Sequence, residues 1–491
     1  MNGKIQGIII GAVVVAALGG TLAVLELTGK DKDSSSVTDS SSRVIASVAD
    51  ENENIEIVKV EAKQVKAVAV DNATGGYHLE RPSSGKTEFN IKELTGLSLN
   101  TTKLADLVSD IASLTGYKTV EENADDLAKY GLKEPNTTFE VTFDDGSTRK
   151  FRVGDVSTQK RYRYFCEDGS SKVYMVLESS LKYMIERKEE LVITALFPSQ
   201  TSEEYGTLEI TRKDLDYPVR FENVEKEKEL ISTQIMVSPI HAHLNVTTSS
   251  SVTHGIFGLS AGRCELVFPT TEQMEEYGLA DPFATVHYKD STMDVTLKIG
   301  NGKHATDDDG KDIDSIASYF CYAEGIIGAD CIWEIPASSL SWATFQPGDV
   351  LSLMTSNKIY DIGEVKVTTG SGVTDYTLSA NEEEAEVYWV KKNGTQDIDT
   401  ELFKGLYKYL LSIPTKEIWF EEPQGEPFLT IEIKRTDEEG DDKLEFYQDT
   451  SRRVAVVLNG EPSYRVQSRW TDTFLENMAR IERGEEVQET P

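Results

Sequence analysis

Tyr130-Gly131-Leu132-Lys133-Glu134-Pro135 returns, 147 residues on, as Tyr277-Gly278-Leu279-Ala280-Asp281-Pro282. A Gly at the end of a helical stretch suits the left-handed backbone of a helix C-cap. A Pro four residues later bars the helix from resuming. Beyond each Pro the period changes to two: Phe139, Val141 and Phe143 alternate with polar residues, as do Ala284, Val286 and Tyr288. Residues 151–154 and 295–300 continue that alternation, followed by Tyr164-Phe165-Cys166 and Tyr319-Phe320-Cys321. The copies end alike, in Ser179-Ser180-Leu181 and Ser338-Ser339-Leu340.

Upstream, a third member joins. Leu99-Asn100, Leu244-Asn245 and Ile398-Asp399 each set an aliphatic residue before a good N-cap. Helical stripes follow: Leu104, Leu107, Ile111 and Leu114 in the first; Ile256, Phe257 and Leu259 in the second; Leu402, Leu406, Leu410 and Ile413 in the third. Strand-like runs at 65–70, 207–211 and 363–368 open hairpins ahead of each helix. Runs at 427–433, 443–447 and 454–458 close the third copy, which lacks the Tyr-Gly-Leu step. Turns at Asp144-Asp145-Gly146 and Glu438-Glu439-Gly440 join neighbouring strands. The reading is an α+β fold with an N-terminal transmembrane helix and three tandem units, each an antiparallel sheet covered by a helix.

Working outward, residues 5–25 carry no charge and, as a helix, span about 30 Å, one bilayer core. The expected organisation is a transmembrane anchor at 1–28, a Ser/Asp-rich tether at 29–56, repeat units at 57–200, 201–358 and 359–482, and an acidic tail at 483–491. A short amino-terminal flank holding Lys4 favours an inside start. The chain is thus expected in the cell membrane, single-pass, with its N-terminus cytoplasmic and its bulk extracytoplasmic. A signal peptide cleaved near Ala17-Leu18-Gly19 is the rival reading.

The whole chain has 491 residues, with 50 Lys+Arg against 84 Asp+Glu, a formal net charge of −34. That balance excludes nucleic acid, whose affinity comes from cations set against phosphates. It also predicts repulsion from an anionic bilayer and a partner with a basic or neutral face. Four cysteines, Cys166, Cys264, Cys321 and Cys331, make no disulfide framework. A cross-strand bond between Cys321 and Cys331 is one expectation.

Several short patterns resemble chemistry. Gly258-Leu259-Ser260-Ala261-Gly262 fits the nucleophile elbow, which needs a buried strand before the Ser and a helix after it. Ser157 to Lys160 and Ser179 to Lys182 fit S-x-x-K without its companion elements. His241 and His243, with His254 after them, place two imidazoles on one strand face but lack a nearby carboxylate. Asp307-Asp308-Asp309-Gly310-Lys311-Asp312 lacks the alternation and closing Glu of a calcium loop. Gly85-Lys86-Thr87 lacks the leading Gly of a phosphate loop, Glu80 standing in its place. Trp333, Trp342, Trp389, Trp419 and Trp470 suit either a groove or a core. The expectation is no catalytic, cofactor-binding or metal site.

Residues 119–123, 127–132 and 144–155, with the anchor and tether, resemble an uncharacterised bacterial domain-of-unknown-function family of repeated α+β units in membrane-anchored envelope proteins. Its members are often encoded beside ABC-2-type, gliding-motility-like exporter subunits. The resemblance implies a non-enzymatic extracytoplasmic protein that binds or scaffolds an envelope partner, such as an ABC exporter subunit, with the membrane reached through the N-terminal helix. The alternative is an envelope hydrolase acting on wall material through Ser260 and the His241/His243 pair.

Overall fold

Three antiparallel sheets, of nine, ten and eight strands, organise the chain. The structure is a computed structural model that describes residues 54–490 apart from 83–88, 203, 224–232, 308, 353–357, 382, 385 and 437–439. All of these belong to one unit, Glu53–Pro491.

Each sheet is built outward from its first long strand. Val65–Asn72 lies between its hairpin partner Tyr77–Glu80 and the much later Thr137–Phe143. Thr207–Arg212 lies between Val219–Asn223 and Ala284–Lys289. Ile362–Thr369 lies between Gly372–Asn381 and Leu429–Arg435. Three meandering strands follow on the later side: Thr148–Val156, Tyr162–Glu167 and Val173–Leu177; Asp294–Thr306, Asp312–Glu324 and Cys331–Pro336; Asp442–Thr450, Arg453–Leu458 and Glu461–Gln467. The strand that follows the helix then flanks this side, Thr115–Glu121 in the first sheet and Arg263–Val267 in the second. In the third sheet, among the described residues, the bridge from Ile418 to Tyr464 occupies that place.

The capped helices begin as the sequence predicts. The Asn100 side chain accepts from the Lys103 amide (3.1 Å), Asn245 from Thr247 (3.0 Å) and Asp399 from Glu401 (2.9 Å). These bonds occupy amides that have no partner within the helix. Thr101–Ala112 buries Leu104, Leu107, Val108 and Ile111; Thr400–Leu411 buries Phe403, Leu406, Tyr407 and Leu410. Both join a hydrophobic core that runs continuously through residues of all three sheets.

The fold is mostly β, which corrects the α+β expectation. Period-2 segments are longer and more numerous than the helical stripes suggested, reaching thirteen residues in Asp294–Thr306 and Asp312–Glu324. In the second sheet the helix is only Val246–Thr253, a Ser/Thr-rich stretch, and the Ile256, Phe257 and Leu259 stripe falls in the turns after it. β-Branched and hydroxyl side chains lose rotamer freedom or compete for backbone bonds in a helix. No helix among the described residues is long and apolar enough to cross a membrane. The apolar run at 5–25 and nearly all of the tether lie outside the described residues.

The repeated hexapeptide closes a backbone lock. Gly131 (φ +68°) and Gly278 (φ +72°) are left-handed, and Leu132 and Leu279 behind them are buried. A glycine on the next hairpin faces each lock: a Cβ on Gly154 would lie 2.1 Å from the Tyr130 carbonyl, and one on Gly300 2.3 Å from the Tyr277 carbonyl. The tyrosines pack edge-on, Tyr130 on Tyr164 (4.9 Å) and Tyr277 on Phe320 (4.7 Å).

Candidate interaction surface

The turn after the long strand Asp312–Glu324 reads Gly325-Ile326-Ile327-Gly328. Two adjacent aliphatic residues in so tight a turn cannot both face the core. Ile326 packs against the core, and Ile327 is 95 % exposed. The turn is seated on the loop before the first helix, where the Ser98 amide donates to the Gly328 carbonyl at 2.9 Å. A Cβ on Gly328 would lie 2.6 Å from the Ser98 hydroxyl, so this approach requires glycine.

Beside Ile327 opens a cleft of about 450 Å³, lined by Leu97, Phe268, Tyr322, Ile326 and the turn's backbone. Phe268 holds a left-handed backbone (φ +51°), uncommon for a bulky residue, and remains 42 % exposed. Its amide donates to the Asp330 carbonyl at 2.9 Å. Glu324 and Asp330 also line it. Asp330 accepts from the Tyr322 phenol (2.9 Å), whose pKa is pushed up to about 12 by burial first and by this bond second. The result is a hollow of mixed polar and apolar lining, carboxylates included, of the size that accommodates a side chain or small ligand.

A second hollow, of about 300 Å³, lies on the same sheet against Arg263, Lys303, Ser318 and Glu334. Glu334 accepts from Ser318 (2.7 Å) and pairs with Arg263 (2.9 Å) and Lys303 (3.1 Å). Burial raises its pKa, but the Ser318 and Lys303 hydrogen bonds and the two cations outweigh burial and leave it lowered. Arg263 also pairs with Glu265 (2.6 Å), and Arg187 hydrogen-bonds the Glu265 carbonyl. Networks of this kind stiffen a seam more than isolated surface pairs do. Each carboxylate here is matched by a cation.

The residues singled out by motif are scattered. Ser260 sits in a turn and an isolated bridge to Ala195, with its hydroxyl 3.5 Å from the Gly258 carbonyl. The buried strand and following helix of a nucleophile elbow are not built around it. The imidazole of His254 bonds the Thr253 hydroxyl (2.8 Å), and burial lowers its pKa. His243 lies on the strand Ala242–Leu244, with His241 just before it. Among the described residues no group of three potential ligands could hold a metal ion. Asp307 turns its carboxylate onto its own loop, accepting from the Asp309 (3.0 Å) and Lys311 (2.8 Å) amides. Ser157 and Lys160 bracket a hairpin turn, while Ser179 and Lys182 lie in short helical turns. Residues 85–87 lie outside the described residues. Trp333, Trp342 and Trp470 are fully buried, Trp419 stacks under Arg465 at 4.5 Å, and Trp389 is 43 % exposed.

Ile327 and Phe268 were not among the candidates from sequence. The signal available for Ile327 was the pair of glycines bracketing two isoleucines. Phe268 precedes Pro269, and nothing local marks its backbone.

The molecule is thus a mostly-β protein of three antiparallel sheets. Residues 90–257, reaching from the first sheet into the second, match a family described as a domain of unknown function, DUF4340. This bears out the resemblance to an uncharacterised domain family. No curated protein and no solved structure matches the chain.

Proposed function

We propose that the chain is a non-enzymatic extracytoplasmic protein, held at the membrane by its amino-terminal residues, that binds a cell-envelope partner. The observation that carries this reading is the exposed Ile327, with the half-exposed Phe268, beside a cleft of mixed lining. Exposed apolar groups clustered around a hollow mark interaction sites. The carboxylates of Glu324 and Asp330, on a chain of net charge −34, favour a partner presenting an apolar side chain within a basic setting. The family resemblance suggests an ABC-type exporter subunit as that partner. The common strand order of the three sheets supports reading them as copies of one unit, a design suited to scaffolding. Extracytoplasmic placement rests on the apolar run at 5–25 and the polar stretch after it.

The test is affinity purification of the full chain from crosslinked membranes, wild type beside Ile327→Asp. The expected result is recovery of an exporter subunit by the wild type and at least a tenfold loss with the variant. Equal recovery by both, or recovery by neither, overturns the proposal.

A further inference from the structure

The cysteines and Trp389, all singled out in the sequence, end in opposite settings. The four cysteines are buried and free, which corrects the expected Cys321–Cys331 bond. Trp389 is the most open of the five tryptophans, and its neighbour Tyr388 is 46 % exposed. Both lie on Glu386–Lys392, the strand next to the edge of the third sheet.

In a regular strand, adjacent side chains face opposite sides, so one of two consecutive aromatics would enter the core. Here the register slips. Ser379 stands opposite Trp389 and Ala380 opposite Val387, which leaves Tyr388 as an extra residue. Val387 and Val390, on either side of the pair, are buried. The bulge thus turns both rings outward while its flanks stay anchored, the re-aiming that bulges at sheet edges provide. The edge strand Gln396–Ile398 pairs with residues 390–392 and stops short of the rings. A bulge also breaks the regular ladder that a further strand would need, so the rings rather than the backbone are the contact offered.

The surroundings are acidic. Glu383, Glu384 and Glu386 stand just before the rings and are all exposed. The Tyr388 phenol donates to the Glu384 carboxylate, which holds that charge beside the ring. Of the nearby cations, Lys392 is taken up by Glu482 (2.6 Å), and Lys391 lies over Trp389, 5.8 Å from the ring centroid. Aromatic faces attract cations, and the planar guanidinium of arginine both stacks on a ring and pairs with carboxylates. Trp, Tyr and Arg are also the residues that dominate binding hot spots. A net charge of −34 on each chain opposes a second copy as the occupant.

We propose that Tyr388 and Trp389 form a docking site for an arginine-bearing segment of a protein partner. Its guanidinium groups lie against the two rings and pair with Glu384 and Glu386. The site belongs to the third sheet and does not depend on what the Ile327 surface binds.

The test measures binding of a short, fluorescein-labelled Arg-Gly repeat peptide to the full chain in non-ionic detergent, by fluorescence anisotropy at physiological ionic strength. The same peptide with citrulline in place of arginine serves as the uncharged comparison. The arginine peptide should bind saturably and the citrulline peptide should not. Tyr388→Ala combined with Trp389→Ala should weaken binding about tenfold or more. Tyr388→Phe combined with Trp389→Phe should stay within about threefold of wild type, because ring faces remain. Ile327→Asp should leave the affinity unchanged. Urea midpoints close to wild type establish that the variants are folded. Equal affinity for the double alanine variant, or equal binding of the citrulline peptide, overturns the proposal. So does a chitin oligosaccharide that binds the wild type and is lost from the double alanine variant, since the rings would then be a sugar platform.

Discussion

The first two sheets and the third share one strand order but are closed by different means. In the first two, a glycine-leucine lock pins the corner after the helix against the next hairpin. The third has no such corner. Its counterpart is the helix Ser468–Glu482, whose Trp470 stacks on Tyr409 (5.4 Å), Phe446 (5.8 Å) and Phe474 (5.8 Å). The comparison teaches that one topology tolerates either closure. A backbone contact that only glycine permits can be exchanged for a buried aromatic stack.

That contrast can be broken in order of effect. Trp470→Ala should cost about 4 kcal/mol, the range of large aromatic deletions from a core. Its Nε1 is buried without a hydrogen-bond partner, so Trp470→Phe should recover more than half of the loss. Urea unfolding reads both, and a loss under 1 kcal/mol for Trp470→Ala would show that the aromatic stack does not close the third sheet. Next, Gly154→Ala should cost roughly 3 kcal/mol, because the Tyr130 carbonyl must give way. In the third sheet, Gly460 is left-handed (φ +89°) with open space around it. Gly460→Ala should cost only about 1–2 kcal/mol, the backbone term alone. Equal costs at the two sites would remove the lock from the account.

The smallest effect is electrostatic. Glu334 in the second sheet has a lowered pKa, as does Glu167 in the first, where the Arg149 hydrogen bonds lead the causes. A carboxylate with a folded pKa below its unfolded value contributes stability that is present above the unfolded pKa, about 4.3 for Glu. That contribution is lost as pH falls through the folded pKa. Urea midpoints should therefore fall less between pH 5 and pH 3 in Glu334→Gln than in the wild type. An identical acid slope in both proteins would show that the ion network contributes nothing to folding.

Much of the framework was legible because it is local. Asn100, Asn245 and Asp399 cap helices through bonds to residues two or three positions on, and Gly131 and Gly278 adopt a backbone that neighbouring residues alone demand. The strand at 65–70 was visible from its alternation and extends only to Asn72. The terminal helix was harder to see. Its buried Trp470, Phe474, Met478 and Ile481 are spaced for a helix, but mostly charged and polar residues fill the positions between. The candidate surface was largely illegible. The Gly-containing segment between two strand-like runs marks a break, but which isoleucine faces out is set where the turn meets Ser98, more than two hundred residues away. The bulge at Glu265, between Cys264 and Leu266, is likewise a register slip that composition and spacing do not announce.

The pairing at the centre of each sheet carries a consequence for how the chain is made. Val65–Asn72, Thr207–Arg212 and Ile362–Thr369 must each wait for a partner synthesised after a complete hairpin and helix have emerged. Contacts so distant along the chain slow folding, since loop-closure entropy precedes any reward from pairing. Each central strand therefore spends the interval with one hydrogen-bonding edge open, covered at first only by its hairpin neighbour. Production should be most vulnerable to aggregation during those three intervals.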